Sequence, residues 1–168
     1  MSMRPVILKP RIKQTATMIF LHGLGDTGHG WAGILNTLRP DHLKVICPTA
    51  PVIPITLNLG FRMPAWFDLE SLDNLEQETD IEGLKKSAKT VYGLIEDEIR
   101  SGIPSNKIII GGFSQGAVLA LYSALHCEKP LAACIALSTF FPEARLPDPN
   151  LLYNKGKHKN LTIVRPFY

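Results

Sequence analysis

The sequence predicts an α/β fold in which a mostly parallel sheet is covered by helices on both faces, and three observations carry that prediction. Short apolar runs such as Thr17 to Leu21 and Ile108 to Ile110 read as buried strands, and they alternate with longer segments of helical periodicity. Glycine-rich residues follow two of these runs, at His22 to Asp26 and at Gly112 to Gly116, which marks functional loops. The second loop, Gly112-Phe113-Ser114-Gln115-Gly116, fits the Gly-x-Ser-x-Gly pattern of a serine on a sharp strand-to-helix turn.

Val6 to Leu8 reads as a short edge strand and Thr17 to Leu21 as a buried one. Trp31 to Leu38 suits a short helix, Leu43 to Cys47 a third strand, and Pro48 ends it. Residues Thr49 to Leu75 carry Pro51, Pro54, Gly60 and Pro64 among Leu57, Phe61, Trp66 and Phe67, which suits an irregular covering segment. It reads equally as a packed connection or as a lid or wall for an apolar ligand. Six carboxylates from Asp68 to Asp80, with no basic residue between them, match no calcium loop and read as a solvated rim.

Thr79-Asp80-Ile81-Glu82 has the form of a capping box, after which Leu84, Ala88, Val91, Leu94, Ile95 and Ile99 share one helical face. Gly102 and Pro104 stop that helix. Strand Lys107 to Ile110, helix Gln115 to Cys127 and strand Leu131 to Ser138 continue the alternation, and no internal repeat interrupts it. From Pro142 the character changes, leaving Leu161 to Val164 as the one plausible strand; the segment from Glu143 holds five Lys or Arg against two Asp or Glu. That segment reads as a solvated tail, with contact to acidic lipid as the alternative. The domain reading is a core over 1–142 and a divergent tail over 143–168, in the same domain or partly disordered.

Ser114 is the candidate nucleophile. Gly112 and Gly116 flank it with almost no bulk, so its hydroxyl projects above the sheet, and the Gln115 N–H sits at a helix N-terminus where negative charge is favoured. The pentapeptide alone recurs by chance in glycine-rich loops; the strand before it and the helix after it are what give it weight. Otherwise it is a tight turn bearing a solvated serine.

A chain of 168 residues has room for one domain, burying about 70% of its unfolded surface. Hydrophobic residues make up 45% and charged residues 20%, too apolar for disorder. The net charge of +3, without a basic recognition helix or an aromatic-basic platform, argues against a nucleic-acid partner. Cys47, Cys127 and Cys134 lack metal-like spacing and read as core thiols in a reducing compartment. No apolar segment approaches the roughly 20 residues of a membrane span, and Met1 to Pro10 lacks the apolar stretch of a signal peptide, so a cytoplasmic protein is expected.

The His22-Gly23-Leu24-Gly25-Asp26 loop and the Gly112 to Gly116 elbow together resemble the acyl-protein thioesterases of the phospholipase/carboxylesterase family. The resemblance runs from about Thr17 to about Pro142 and includes Phe20 to Trp31, Ile46-Cys47-Pro48, Met63-Pro64, Trp66-Phe67-Asp68, Gly102 to Asn106 and Ala136-Leu137-Ser138. It implies an α/β-hydrolase fold and hydrolysis of palmitoyl-cysteine thioesters in proteins, and also of lysophospholipids and carboxylic esters, by attack of Ser114. It further implies that the main-chain N–H groups of Leu24 and Gln115 hold the oxyanion and that Leu57, Trp66 and Phe67 shelter the acyl chain. S-acylated proteins or lipid esters are then the partners, with transient contact at a membrane surface; no metal or organic cofactor is implied.

In this fold the triad runs serine, acid, histidine, so His22 and His29, which precede Ser114, read as structural. His42 and His126 belong to no motif and read as surface or packing residues. Family members continue through two further strands, followed in turn by the catalytic Asp and the catalytic His. Here Arg165-Pro166-Phe167-Tyr168 stands where the acid-bearing loop begins, and no histidine lies beyond His158. Asp148 and His158 keep the required order, but a parallel strand at Leu161 to Val164 brings His158 in at the sheet edge opposite Ser114.

The expectation is therefore a serine thioesterase sequence lacking its C-terminal catalytic portion, incomplete at that edge of the sheet. It leaves strand Leu131 to Ser138 short of neighbours and the chain marginal or aggregation-prone. A catalytically silent acyl-binding module and a general carboxylesterase for small esters are the competing readings. Smaller departures from the family pattern are Ala117 in place of a frequent glycine, Thr139-Phe140-Phe141-Pro142 in place of a segment with tryptophan, and the absence of an N-terminal cysteine.

Overall fold

The computed structural model describes residues 4–71, 80–139 and 161–164. Among these residues six strands form one sheet: β1 (Val6–Leu8), β2 (Ala16–Leu21), β3 (Leu43–Cys47), β6 (Ile108–Phe113), β7 (Ala133–Leu137) and β8 (Leu161–Val164), in the order β1-β3-β2-β6-β7-β8. All neighbours are parallel except β1, which runs antiparallel to β3. This is the expected α/β-hydrolase arrangement. It puts β2 beside β6 at the centre, with Leu21 level with Gly112, so the loops leaving both strands emerge together at one edge.

Among the described residues three α-helices cover the sheet: α1 (Gly28–Leu38), α2 (Ile81–Arg100) and α3 (Gln115–His126). Every residue of α3 from Gln115 to Ala124 is buried, as a helix apolar on nearly all sides requires. On α2 the stripe Leu84, Ala88, Val91 and Ile95 is buried against α3 and the sheet, as its spacing predicts. All three cysteines are buried, and none forms a disulfide. Burial pushes the thiols of Cys47 and Cys134 up to about 11 and about 12, and that of Cys127 upward too, so they stay protonated.

Several local expectations change. Helix α1 begins at Gly28 rather than Trp31, because Gly28 tucks against the Cys47 carbonyl where no Cβ fits. The segment read as irregular holds an antiparallel hairpin, β4 (Val52–Ile55) with β5 (Phe61–Pro64). Pro54 and Pro64 are compatible with it because each strand of a two-stranded ribbon has an open edge needing no N–H. The turn passes through Leu59 at φ 54 and Gly60 at φ 80, and Gly60 N–H donates to Ile55 O at 2.9 Å.

Two carboxylates assigned to a solvated rim have structural partners. Asp68 accepts from Thr56 N–H at 2.8 Å and from Thr56 Oγ1 at 2.5 Å, fixing the hairpin. Asp80, not Thr79, is the N-cap of α2, accepting from Gly83 N–H at 2.8 Å. Thr79, Asp73, Glu76 and Glu78 lie outside the described residues. Strand β7 is not left with a bare edge: β8 pairs with it in parallel from Cys134–Leu161 to Leu137–Val164. Among the described residues no helix is long and apolar enough to cross a membrane.

Candidate active site

The elbow is built by two absent side chains. A Cβ on Gly112 would collide with the Gly116 carbonyl, and one on Gly116 would collide with the carbonyls of Leu21 and His22. Glycine at both positions therefore lets α3 start hard against the end of β2. Ser114 occupies the crest at φ 52 and ψ −120, a strained conformation for a residue with a side chain. Its backbone is held by Ser114 N–H donating to Leu137 O at 2.9 Å and by Ala117 N–H donating to Ser114 O at 2.9 Å. The residue is half-buried, at the mouth of a cleft.

That cleft has a volume of about 380 Å³, and its walls include Gly23, Leu24, Asp26, Trp31 and Phe113 as well as Ser114. The structure thus brings Leu24 to the candidate nucleophile. Glycine at 23 permits the approach: a Cβ there would stand 3.3 Å from Phe113 Cδ1 and 3.5 Å from Ser114 Cβ. The loop is pinned by Gly25 N–H to Pro64 O at 2.9 Å and by Asp26 N–H to Gly23 O at 3.3 Å. Gln115 is the first residue of α3, so its N–H has no intrahelical acceptor. The rings of Trp31 and Phe113 lie 5.4 Å apart, and Trp31 also packs on Phe20 at 4.8 Å.

His22 is 1% exposed, and both of its ring nitrogens are committed. Nε2 accepts from Ala50 N–H at 2.9 Å, so the proton sits on Nδ1, which donates to Gly23 O at 2.7 Å. Burial holds its pKa below the ordinary histidine value, only partly opposed by the Gly23 carbonyl and Asp26, so the ring is neutral. His29 is exposed on the first turn of α1, His42 is half-buried, and His126 stacks on Tyr122 at 4.1 Å. Asp148 and His158 lie outside the described residues, although the parallel pairing of the strand that follows them is present.

The structure does not bring Trp66 or Phe67 into the Ser114 cleft, a correction to the acyl-shelter expectation. They are 3% and 0% exposed and belong to the core. Trp66 Nε1 donates to His22 O at 2.8 Å, so the indole braces the loop that carries Leu24. Both residues border a separate cavity of about 650 Å³ between the hairpin and α2. Leu57 is half-buried against the core, its N–H bonded to Leu69 O at 2.8 Å.

Sequence reasoning missed two contributors. The Gln115 side chain is buried and bridges to the backbone of Trp66 and Phe67; a polar residue heading an otherwise apolar helix was its one signal. The Trp31 and Phe113 wall depends on which helix face meets the elbow, and no local pattern encodes that.

The model of the phospholipase/carboxylesterase family matches residues 3–155. The chain belongs to this family. An acyl-protein thioesterase 1 of Schizosaccharomyces pombe is 47% identical over 140 residues, covering 83% of this chain and 62% of that protein. One of Gibberella zeae is 44% identical over 144 residues, covering 81% of this chain and 61% of the relative. Among solved structures, Zea mays acyl-protein thioesterase 2 superposes with a TM-score of 0.72 at 38% identity, over 84% of this chain and 64% of that one. The chain therefore spans about 62% of the length of such family relatives.

Proposed function

We propose that this chain carries the nucleophile and oxyanion-binding portion of a cytoplasmic serine hydrolase of the acyl-protein thioesterase type. Its substrates are palmitoyl-cysteine thioesters of proteins and, more weakly, lysophospholipid or carboxylic esters. The observation that supports this most directly is the strained Ser114 crest sharing one cleft with Leu24. Ser114 Oγ attacks the acyl carbonyl carbon as its proton passes to a base. The carbonyl oxygen becomes an oxyanion accepted by the N–H groups of Leu24 and Gln115. Collapse expels the cysteine thiolate, which takes up the proton, and water then releases the fatty acid from the Ser114 ester.

The acyl chain is assigned to the hairpin side of Leu24. Met63 Sδ stands 3.7 Å from where a Cβ on Gly25 would lie, and Leu57 lies in the same hairpin segment. The hairpin turn projects Leu59, fully exposed, and Phe61, 71% exposed, beside the exposed Arg62. An apolar tip next to a cation suits transient contact with the membrane surface where acylated substrates reside.

His22 is not the base, because neither ring nitrogen is free. Among the described residues none is hydrogen-bonded to Ser114 Oγ, and the resemblance assigns the base to a late histidine held by an aspartate. Loss of a triad base costs about 10⁴-fold or more in rate, so the rate at which Ser114 reacts reports whether a base reaches it. The absence of a described side chain bonded to Ser114 Oγ favours the second reading, a silent acyl-binding module.

A fluorophosphonate probe separates the two. Slow labelling that disappears in Ser114→Ala supports the hydrolase. Binding of a palmitoyl ligand with no labelling on extended incubation supports the silent module. Faster turnover of short soluble esters than of palmitoyl thioesters points instead to a general carboxylesterase.

A further inference from the structure

The Ser114 cleft has two unlike sides, and only one suits an alkyl chain. Away from the hairpin its wall is made by Trp31, Phe113 and Asp26, and Asp26 is the one charged side chain lining the cleft among the described residues. Asp26 Oδ1 accepts from Thr27 N–H at 2.7 Å, and no ion pair with a cationic side chain is present at Asp26 among the described residues. The carboxylate lies over the first turn of α1 because position 30 is glycine; a Cβ there would collide with both carboxylate oxygens. Two aromatic rings at 5.4 Å beside an unpaired carboxylate are poor surroundings for a hydrocarbon chain, since burying the carboxylate without a partner is costly. They are good surroundings for a cation, which the ring faces and the carboxylate attract together.

Resting on the thioesterase reading above, we propose that this wall is the leaving-group subsite and that it selects acylated proteins with a lysine or arginine beside the acyl-cysteine. The acyl chain then leaves Ser114 toward Leu24 and the hairpin, while the peptide chain crosses toward α1 and sets its cation against the outer surface of the Trp31–Phe113 pair beside Asp26.

The test uses S-alkyl-cysteine peptides, whose thioether cannot be cleaved, with lysine, norleucine or glutamate next to the modified cysteine. Affinities for this chain are measured by calorimetry. The lysine peptide is expected to bind about tenfold more tightly than the norleucine peptide, and the glutamate peptide more weakly than both. Asp26→Asn, which retains an acceptor for Thr27 N–H, and Phe113→Leu, at a partly exposed site, should each shrink the lysine preference to about twofold or less. They should leave the melting temperature near that of the parent. Equal affinity for lysine and norleucine peptides, or a preference that survives both substitutions, overturns the subsite while leaving the thioesterase reading intact. Absence of binding by every S-alkyl peptide overturns both.

Discussion

Gln115 grips the backbone of the Trp66 to Phe67 segment with both ends of its amide: Oε1 accepts from Trp66 N–H at 2.9 Å and Nε2 donates to Phe67 O at 2.7 Å. The same Trp66 donates from its indole to His22 O, so the residue after the nucleophile and the loop bearing Leu24 share one brace. Gln115→Met fills the space but leaves a buried N–H and a buried C=O without partners, expected to cost about 2 to 4 kcal/mol. Gln115→Glu keeps only the acceptor and should destabilise at neutral pH as well. Urea unfolding of the three proteins, read by tryptophan fluorescence, checks the order; equal midpoints refute the brace.

The glycines divide by what lies beside them. Gly116→Ala drives a methyl into the carbonyls of Leu21 and His22 and should cost about 3 kcal/mol or abolish folding. Gly93→Ala, in the exposed interior of α2 with nothing within 4 Å of the new methyl, should stabilise by about 0.5 to 1 kcal/mol. Thermal melts of both variants give the comparison.

Glu98 ties α2 to the sheet. It is 3% exposed, accepts from Thr17 Oγ1 at 2.6 Å and Gln14 Nε2 at 3.1 Å, and pairs with Lys44 Nζ at 2.5 Å. Burial pushes its pKa up, but Lys44, Thr17 and Gln14 together outweigh burial and hold the carboxyl below its ordinary range. A depressed folded value means that this stabilisation is complete above the unfolded pKa of about 4.3 and is lost as pH falls through the lower folded value. Stability of the parent should therefore decline below about pH 5, and Glu98→Gln should start lower and decline less. Chemical denaturation from pH 6 to pH 3 tests this; parallel curves count against the assignment.

The hairpin tip predicts a separation of stability from surface binding. Leu59 adopts φ 54 with its side chain fully in water, and asparagine tolerates that backbone better than leucine. Leu59→Asn should match or exceed the parent in melting temperature while lowering co-sedimentation with vesicles containing acidic lipid. Phe61→Asp should lower it further. Unchanged sedimentation of both removes the membrane-contact reading.

The sequence by itself determined the alternation of strands and helices and the position of the strand-to-helix turn at Ser114, because hydrophobic period and glycine placement are local signals. Even the short strand at Leu161–Val164 was legible from its four residues. Tertiary structure decided what each large side chain does. Trp66 and Phe67 look like a ligand wall in sequence, but the indole N–H and the surrounding apolar area are satisfied by His22 O and the core. Trp31 and Phe113, given no site role by the sequence, line the Ser114 cleft because the first turns of α1 and the end of β6 meet there. Local pattern carries backbone conformation; which side chains share a cleft depends on contacts between segments far apart in the chain, and those exist only once the sheet has assembled.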